Sequence, residues 1–249
     1  MIKFKTVDFI PPILTKGLKY LFRKFFLRNN ILHPFTEIKV PDSQELWIMD
    51  IGANIGDVAR RALLSFPRSK VVCFEPVDST REILKQNLNE FKERVSYYSF
   101  ALSDSDTLGT INLTSFHGAN SILPQSNSHK VSNPHVKEVS TQDIQLMKID
   151  SILDILPSKY FDIIKIDVEG FELNVLNGGE FFFRNCVNCV MIEISFMRDE
   201  DLKSQSIFKI FNTLHTYGFY LYNMYDIHKF ENYDPSIRLV QFDCIFQKY

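Results

Sequence analysis

The sequence has few cysteines, few glycines and no long apolar run. Its four cysteines cannot form a dense disulfide framework, and the C-x-x-C pair of Cys186 and Cys189 lacks the second pair that a zinc site needs. No apolar stretch approaches the roughly 20 residues that span a bilayer. Prolines and lysines interrupt the N-terminal stretch, which therefore lacks the apolar core of a signal peptide. These absences predict a cytoplasmic protein with reduced thiols.

Charge is unevenly distributed along the chain. Residues 1–36 carry seven Lys or Arg and one Asp, whereas the remaining residues carry 21 basic and 29 acidic side chains. Within residues 12–28, leucines and phenylalanines recur at helical spacing between basic residues, which predicts a basic amphipathic helix. It could pack on the domain, pair two subunits of a homo-oligomer, or contact the inner membrane surface peripherally. The acidic body and the lack of a recognisable motif argue against a nucleic-acid partner.

From residue 46 onward, predicted strands alternate with predicted helices. This alternation indicates an α/β fold, a mostly parallel seven-stranded sheet with helices on both faces. No helix separates the last two strands, so we expect the final strand to be antiparallel. A long connection, residues 104–160, predicts a β-rich insertion in which two strands pair. We therefore divide the chain into an N-terminal helical segment, 1–40, and a domain, 41–249.

A glycine turn, 50–56, follows the first strand, and its spacing distinguishes between nucleotide ligands. The spacing is G-x-x-x-G and not the G-x-G-x-x-G of dinucleotide sites, and no G-K-[ST] follows. Asp50 would repel a pyrophosphate but can accept a hydrogen bond from an ammonium group. Glu75 ends the second strand, where an acid receives the two hydroxyls of a ribose, although it could instead cap the next helix. These features predict S-adenosylmethionine (SAM), which has a ribose, a cationic amino-acid portion and no phosphate.

Five segments of the chain resemble the FkbM family of SAM-dependent methyltransferases. They are D-x-G-A-N-x-G at 50–56, F-E-P at 74–76, A-L-S-D at 101–104, IIKIDVEGFE at 163–172 and I-E at 192–193. The resemblance covers about residues 45–195. It implies a class I methyltransferase fold, Rossmann-like with strand order 3-2-1-4-5-7-6, for the domain 41–249. It also implies methylation of hydroxyl groups, often on sugars or natural-product scaffolds.

The same resemblance implies a cofactor site spread over several segments. The glycine turn would hold the methionine portion of SAM, with Asn54 near its carboxylate, while Glu75 would bind the ribose and Pro76 would pack near the adenine. Three residues at the end of strand three would line the adenine pocket, and two from the insertion would close over the site. The predicted cofactor-binding residues are Asp50, Gly52, Ala53, Asn54, Gly56, Glu75, Pro76, Ala101, Leu102, Ser103, Asn120, Ser121 and Asp167.

Methyl transfer to a hydroxyl group also needs a group that removes the hydroxyl proton. Near the ends of strands four and five, and in the insertion, the candidates are Asp167, Glu169, Glu193 and His117. Glu172 could simply occupy the first turn of a helix, and Lys165 could be a charge partner for these acids. The positions of Asp167 and Glu193 resemble those that hold magnesium in catechol-type O-methyltransferases, so Mg²⁺ is a second cofactor hypothesis, without assigned metal ligands.

These features predict an O-methyltransferase whose acceptor is a hydroxyl group of a sugar or glycoconjugate. Two alternatives remain open. One is an N- or carboxyl-methyltransferase acting on a small molecule, and the other is a non-catalytic SAM-fold module that serves in an assembly. An NAD-dependent enzyme fits least well, because the turn has the wrong glycine spacing.

Overall fold

A computed structural model of the protein describes residue 35 and residues 45–124, 135–195, 207–228 and 241–248. The predicted basic helix, 12–28, lies outside these residues, and its roles in subunit pairing or membrane contact stay predictions. The division of the chain at residue 40 stays a prediction for the same reason. Within the described ranges, no helix combines the length and the apolarity needed to cross a bilayer.

Ten strands in the described residues form two sheets. They are β1 (Trp47–Ile51), β2 (Lys70–Phe74), β3 (Val95–Tyr98), β4 (Ala101–Leu102), β5 (Thr107–Thr114), β6 (Glu138–Met147), β7 (Phe161–Ile166), β8 (Val187–Ser195), β9 (Tyr220–His228) and β10 (Gln241–Gln247). The larger sheet has the order β3-β2-β1-β7-β8-β10-β9. In this sheet β10 runs antiparallel to both of its neighbours, β8 and β9, and the other strand pairs are parallel. Counted along the chain, these seven strands have the order 3-2-1-4-5-7-6, which confirms the predicted fold.

Helices cover both faces of this sheet. They are α1 (Asp57–Ser65), α2 (Asp78–Asn87), α3 (Glu172–Asn177), α4 (Glu180–Asn185) and α5 (Ile207–Thr216). Because successive side chains of a strand point to opposite faces, β1 contributes to two separate apolar clusters. Ile48 packs with residues of α1 and α2, whereas Met49 packs with residues of α3, α4 and α5. Burial on both faces explains why the central strands are mostly apolar.

Two predicted elements are divided in the structure. The run 95–104, predicted as one strand, forms β3 in the large sheet and β4 in the small sheet, because Ala101–Leu102 pair with β6 instead of β2. The predicted helix over 172–183 breaks at Gly178 and Gly179 into α3 and α4. A Cβ atom at Gly178 would lie 1.8 Å from the carbonyl oxygen of Ser103, so this close approach requires glycine.

The small sheet lies where the sequence predicts a β-rich insertion. Strands β5 and β6 pair antiparallel, and β4 pairs parallel with β6 on its other side. After β5, the chain forms a short 3₁₀ turn at His117–Ala119 and returns to β5 through an isolated bridge between Asn112 and Ser121. This return holds residues 117–121 beside the loops that follow β1 and β7.

Candidate functional site

An open cleft of about 710 Å³ lies where β1, β2 and β7 end. In parallel α/β sheets, ligands bind outside the carboxyl ends of the strands, where the loops of neighbouring strands meet. The cleft has walls from the turn after β1, the segment after β2, the loop after β7 and the insertion. Eleven of the predicted site residues line it: Gly52, Asn54, Glu75, Pro76, Ala101, Leu102, His117, Asn120, Ser121, Asp167 and Glu169.

The turn after β1 depends on backbone conformations that favour glycine. Gly52 has φ of 79°, Asn54 has φ of 49° and Gly56 has φ of 91°. A Cβ atom at Gly52 would lie 1.9 Å from the carbonyl oxygen of Asp167, so this turn touches the backbone of the loop after β7. A Cβ atom at Gly56 would lie 2.6 Å from a methyl group of Leu84, so Gly56 allows α1 and α2 to pack closely.

Glu75 joins the ends of β1 and β2. Its carboxylate is 6% exposed, and its two oxygens accept the backbone N–H groups of Asn54 and Val77, each at 2.9 Å. Burial raises the pKa of Glu75, although both N–H donors oppose this rise. Val77 is the N-cap residue of α2, so Glu75 does organise the start of that helix. Each carboxylate oxygen has a second lone pair, so the side chain can also receive hydroxyl groups from the cleft.

Glu172 has a comparable position behind the loop after β7. In that loop, Glu169 has φ of 57° and Gly170 has φ of 100°. The buried Oε1 of Glu172 accepts the backbone N–H groups of Gly170 at 3.0 Å and Val168 at 3.3 Å. Burial raises the pKa of Glu172, and these N–H donors oppose the rise. Glu172 does not line the cleft, and these contacts support the structural interpretation of this residue.

Lys165 is the positive centre of a buried charge cluster beneath this loop. The residue is 5% exposed, and its Nζ lies 3.4 Å from Oδ2 of Asp167 and 3.2 Å from Oδ1 of Asp243. Burial alone would lower the pKa of Lys165, but Asp167, Asp243 and Glu193 together raise it well above its ordinary value. Lys165 therefore stays charged and is a charge partner for these acids.

Three carboxylates converge beside Lys165. One oxygen from each of Asp167, Glu169 and Glu193 lies within 4.8 Å of the others. Burial and the nearby Asp167 raise the pKa of Glu193 well above its usual range, and Lys165 opposes this rise. Glu193 lies two residues before the end of β8, not at its end, and it does not line the cleft.

Asp50 lies beneath the glycine turn and not in the cleft. It is 2% exposed, and its strand neighbours are Cys73 of β2 and Lys165 of β7. Among the described residues, nothing hydrogen-bonds its Oδ2 atom. Burial raises the pKa of Asp50 to about 7, and Lys165 opposes this rise. The structure therefore does not bring this predicted cofactor ligand to the cleft, and the same is true of Ala53, Gly56 and Ser103.

Residues 117–121 of the insertion contact both loops of the cleft. Nδ1 of His117 lies 2.9 Å from Oδ1 of Asn54 in the turn after β1. The hydroxyl group of Ser121 donates to the carbonyl oxygen of Glu169 at 2.8 Å, in the loop after β7. The segment itself is held by Asn120, whose Oδ1 accepts the backbone N–H of Thr114 at 2.8 Å. The insertion thereby ties the two loops together across the cleft.

Sequence reasoning missed the apolar wall of the cleft. Val168 and Phe171 lie within the segment IIKIDVEGFE, 163–172, so the position of that segment was a signal that could have found them. The residues from the insertion had no such signal, because only the docking of the small sheet brings them near β1 and β2. A mostly apolar wall with a few polar groups is typical of small-molecule sites. The missed lining residues are Ile51, Phe74, Ile111, Gly118, Ile122, Val168 and Phe171.

Three relatives match part of the chain. Methyltransferase sdnD of Sordaria araneosa is 30% identical over 171 residues, which are 59% of this chain and 65% of that protein. The 2-O-methyltransferase NoeI of Sinorhizobium fredii is 26% identical over 53% of this chain and 57% of its own length. Hexuronic acid methyltransferase AglP of Haloferax volcanii is 29% identical over 60% of this chain and 55% of its own length. The chain therefore spans less than two thirds of the length of each relative.

A solved structure and a family model identify the domain. The FkbM methyltransferase structure from Methylobacillus flagellatus superposes with a TM-score of 0.52 and 15% identity, over 88% of this chain and 47% of that one, which shows a shared fold. The family model for the methyltransferase FkbM domain matches residues 50–221, more than half of the chain. This match includes the glycine turn, Glu75 and the loop after β7 that together form the cleft. The chain belongs to the FkbM family of SAM-dependent methyltransferases.

Proposed function

We propose that this protein transfers the methyl group of SAM to a hydroxyl group of a sugar or glycoconjugate. The observation that carries the proposal is Glu75, a carboxylate held at the end of β2 by two backbone N–H groups and facing the cleft. This is the position at which an acid receives the hydroxyl groups of a ribose. Among the relatives, one is named a 2-O-methyltransferase and another a hexuronic acid methyltransferase, which supports a sugar acceptor.

In this proposal the cofactor lies along the carboxyl edge of the sheet. Glu75 receives the ribose hydroxyl groups, and Pro76, Ala101 and Leu102 pack around the adenine. The backbone of the turn at Gly52 faces the methionine portion. The walls are apolar beside Glu75, where Phe74, Ile111 and Ile122 line the cleft, and such a surface suits an aromatic ring.

The reaction requires a proton acceptor in the same cleft. The acceptor oxygen forms a bond to the methyl carbon, the carbon–sulfur bond breaks, and its electron pair neutralises the sulfonium. Asp167, Glu169 and His117 line the cleft and are placed to take the hydroxyl proton. Glu193 is less suited to this role, because it does not line the cleft.

Magnesium dependence is a separate hypothesis within this proposal. Asp167, Glu169 and Glu193 offer oxygen ligands within 4.8 Å of one another, which suits a hard divalent cation. The Lys165 ammonium lies 3.4 Å from Asp167 and already supplies positive charge to this cluster. Methyl transfer that stops in EDTA and returns with Mg²⁺ would support the hypothesis, and unchanged turnover in EDTA would exclude it.

An acceptor screen with methyl-labelled SAM tests the proposed function. The panel contains neutral sugars, hexuronic acids and glycan fragments, with small amines and carboxylic acids as competing classes. We expect label in a methyl ether of a sugar, located by mass spectrometry. Label that enters only amines or carboxyl groups would overturn the choice of acceptor, and no binding of S-adenosylhomocysteine at millimolar concentration would overturn the cofactor assignment.

A further inference from the structure

The contact between His117 and Asn54 determines which ring nitrogen carries a proton. Nδ1 of His117 lies 2.9 Å from Oδ1 of Asn54, and an amide oxygen only accepts hydrogen bonds. With the Asn54 amide in this orientation, Nδ1 is the donor. When the ring is neutral, its second nitrogen, Nε2, then has a free lone pair. Among the described residues, none hydrogen-bonds this Nε2 atom.

Both partners are held by the fold. Asn54 has φ of 49°, a conformation that asparagine tolerates better than most residues, and its backbone N–H donates to Glu75 at 2.9 Å. The ring of Phe116 stacks on His117, with centroids 5.3 Å apart and an interplanar angle of 29°. A Cβ atom at Gly118 would meet the Phe116 ring at 2.7 Å. The pair therefore joins a residue fixed in the turn after β1 to a ring that stacks on Phe116.

His117 and Asn54 both line the cleft. The titratable side chains that share the cleft with them are Glu75 from the end of β2 and Asp167 and Glu169 from the loop after β7. Glu75 is bonded to two backbone N–H groups and Asp167 to Lys165, so each already has partners that hold it in place. An imidazole nitrogen with a free lone pair can accept the proton of a hydroxyl group, and histidine is the side chain that most often does so in enzymes.

We propose that Asn54 is a positioning residue that holds His117 in the Nδ1–H tautomer, so that Nε2 takes the proton of the acceptor hydroxyl. This inference rests on the proposed function. As the acceptor oxygen bonds to the methyl carbon and the carbon–sulfur bond breaks, the hydroxyl proton moves to Nε2 and gives an imidazolium. The developing positive charge is stabilised by the Asn54 amide oxygen. This assigns the Asn54 side chain to the histidine and not to the carboxylate of the cofactor.

The tautomer is measurable without any turnover. Nitrogen-15 chemical shifts of the histidine rings, with His117 assigned through the His117→Gln variant, report which nitrogen is protonated. We expect the Nδ1–H form in the unmodified protein and a mixture of tautomers in Asn54→Gly, a substitution that suits the left-handed backbone at this position. A predominant Nε2–H form in the unmodified protein would overturn the inference, and this result does not depend on the acceptor.

The kinetic test is a double-mutant cycle. With an acceptor from the screen, we expect His117→Gln to lower kcat by about 100-fold and Asn54→Gly by about 10-fold or more. Because Asn54 acts through His117, the double variant should be no slower than His117→Gln alone. Affinity for S-adenosylhomocysteine should stay within about threefold in Asn54→Gly, since an interaction that acts only on proton transfer leaves cofactor binding unchanged. The inference would be overturned if the two substitutions multiplied their effects on kcat in the double variant. A large loss of affinity for S-adenosylhomocysteine in Asn54→Gly would also overturn it.

A charge substitution distinguishes positioning from a merely structural role. A base can accept the hydroxyl proton only in its neutral form, so kcat should fall at acidic pH. In Asn54→Asp, the acceptor oxygen is kept and a negative charge faces Nδ1–H, so this acidic limb should move by about one pH unit to higher pH. Asn120→Asp adds a charge in the same cleft, on a side chain that contacts Thr114 and not the His117 ring, and is the control. The inference would be contradicted if the acidic limb of the kcat profile did not move in Asn54→Asp, or if it moved equally in both variants.

Discussion

The turn after β1 and the loop after β7 have similar backbone conformations. Each contains glycine with positive φ, two in the turn and one in the loop, and one other residue with positive φ, Asn54 in the turn and Glu169 in the loop. In each, a buried glutamate accepts two backbone N–H groups, Glu75 near the turn and Glu172 behind the loop. The two regions differ in where that glutamate faces. Glu75 lines the cleft and Glu172 does not, so only Glu75 can both hold the backbone in place and bind a ligand.

The non-glycine residues differ as well. Asparagine is enriched in the left-handed conformation, whereas a glutamate there costs on the order of 1 kcal/mol or more. Glu169 is held in this conformation by contacts on both sides, since Glu172 binds the neighbouring N–H groups and Ser121 donates to the Glu169 carbonyl. The loop after β7 therefore depends on the insertion for its shape. A rare conformation at a cleft is a sign of a functional constraint, and here it places the Glu169 carboxylate beside Asp167.

Gly52→Ala should break the contact between the two regions and have the largest effect. Its Cβ atom would lie 1.9 Å from the Asp167 carbonyl oxygen. We expect a loss of about 4 kcal/mol or more in the free energy of unfolding, measured by urea denaturation, because a backbone clash adds to the positive-φ strain. Gly218→Ala is the matched control. Gly218 also has positive φ, but nothing lies within 4 Å of its added Cβ, so the expected loss is about 1 kcal/mol. Equal losses would show that the turn and the loop are not in backbone contact.

Glu75→Gln and Glu172→Gln sharpen the difference between the two glutamates. The two oxygens of Glu75 accept one N–H group each, so the NH₂ group of Gln leaves one N–H unpaired and should lower the free energy of unfolding by about 1 to 3 kcal/mol. In Glu172 one oxygen accepts both N–H groups, so Gln can keep both contacts and the loss should be smaller. Calorimetry should separate them. We expect affinity for S-adenosylhomocysteine to fall about tenfold or more in Glu75→Gln and to change less than about threefold in Glu172→Gln. A similar loss of affinity in both variants would contradict the distinction between a ligand-binding and a structural carboxylate.

Asp50→Asn should have an effect that depends on pH, and it tests β1, the strand beneath both regions. The pKa of Asp50 is raised to about 7 from an ordinary value of 3.8, so the folded protein keeps a proton that the unfolded chain loses as pH rises between those values. Stability is therefore lost with rising pH across that window. In urea denaturation, the Asn variant should gain about 2 to 3 kcal/mol relative to the unmodified protein on going from pH 5 to pH 8.

The exposed Asp57→Asn is the control for that experiment, because it removes a charge next to the same turn without changing a buried group. Its stability relative to the unmodified protein should be the same at both pH values. If the Asp50→Asn difference also stays constant between pH 5 and pH 8, the Asp50 carboxyl is ionised in the folded protein.

Local patterns in the sequence predicted the main features of the fold and much of the cleft. Apolar runs alternating with amphipathic segments indicated the doubly wound sheet, and the missing helix before the last strand indicated that β10 is antiparallel. Gly52, Glu75 and Asp167 all line the cleft because each follows or ends a parallel strand, and these ends meet at one edge. Asp50 also lies near the end of a parallel strand, but its side chain lies beneath the turn and does not line the cleft.

The sequence by itself determined where strands end and which turns need glycine, because strand periodicity and turn conformation are properties of a few neighbouring residues. Only the tertiary structure decided which side chains meet across those ends. His117 reaches Asn54 over 63 positions, and Ser121 reaches Glu169 over 48. Both contacts require the insertion to dock on the edge of the sheet, and no spacing in the chain encodes that docking. The buried charge cluster around Lys165 shows the same limit. Lys165 meets Asp243 only because β10 lies between β8 and β9 in the sheet.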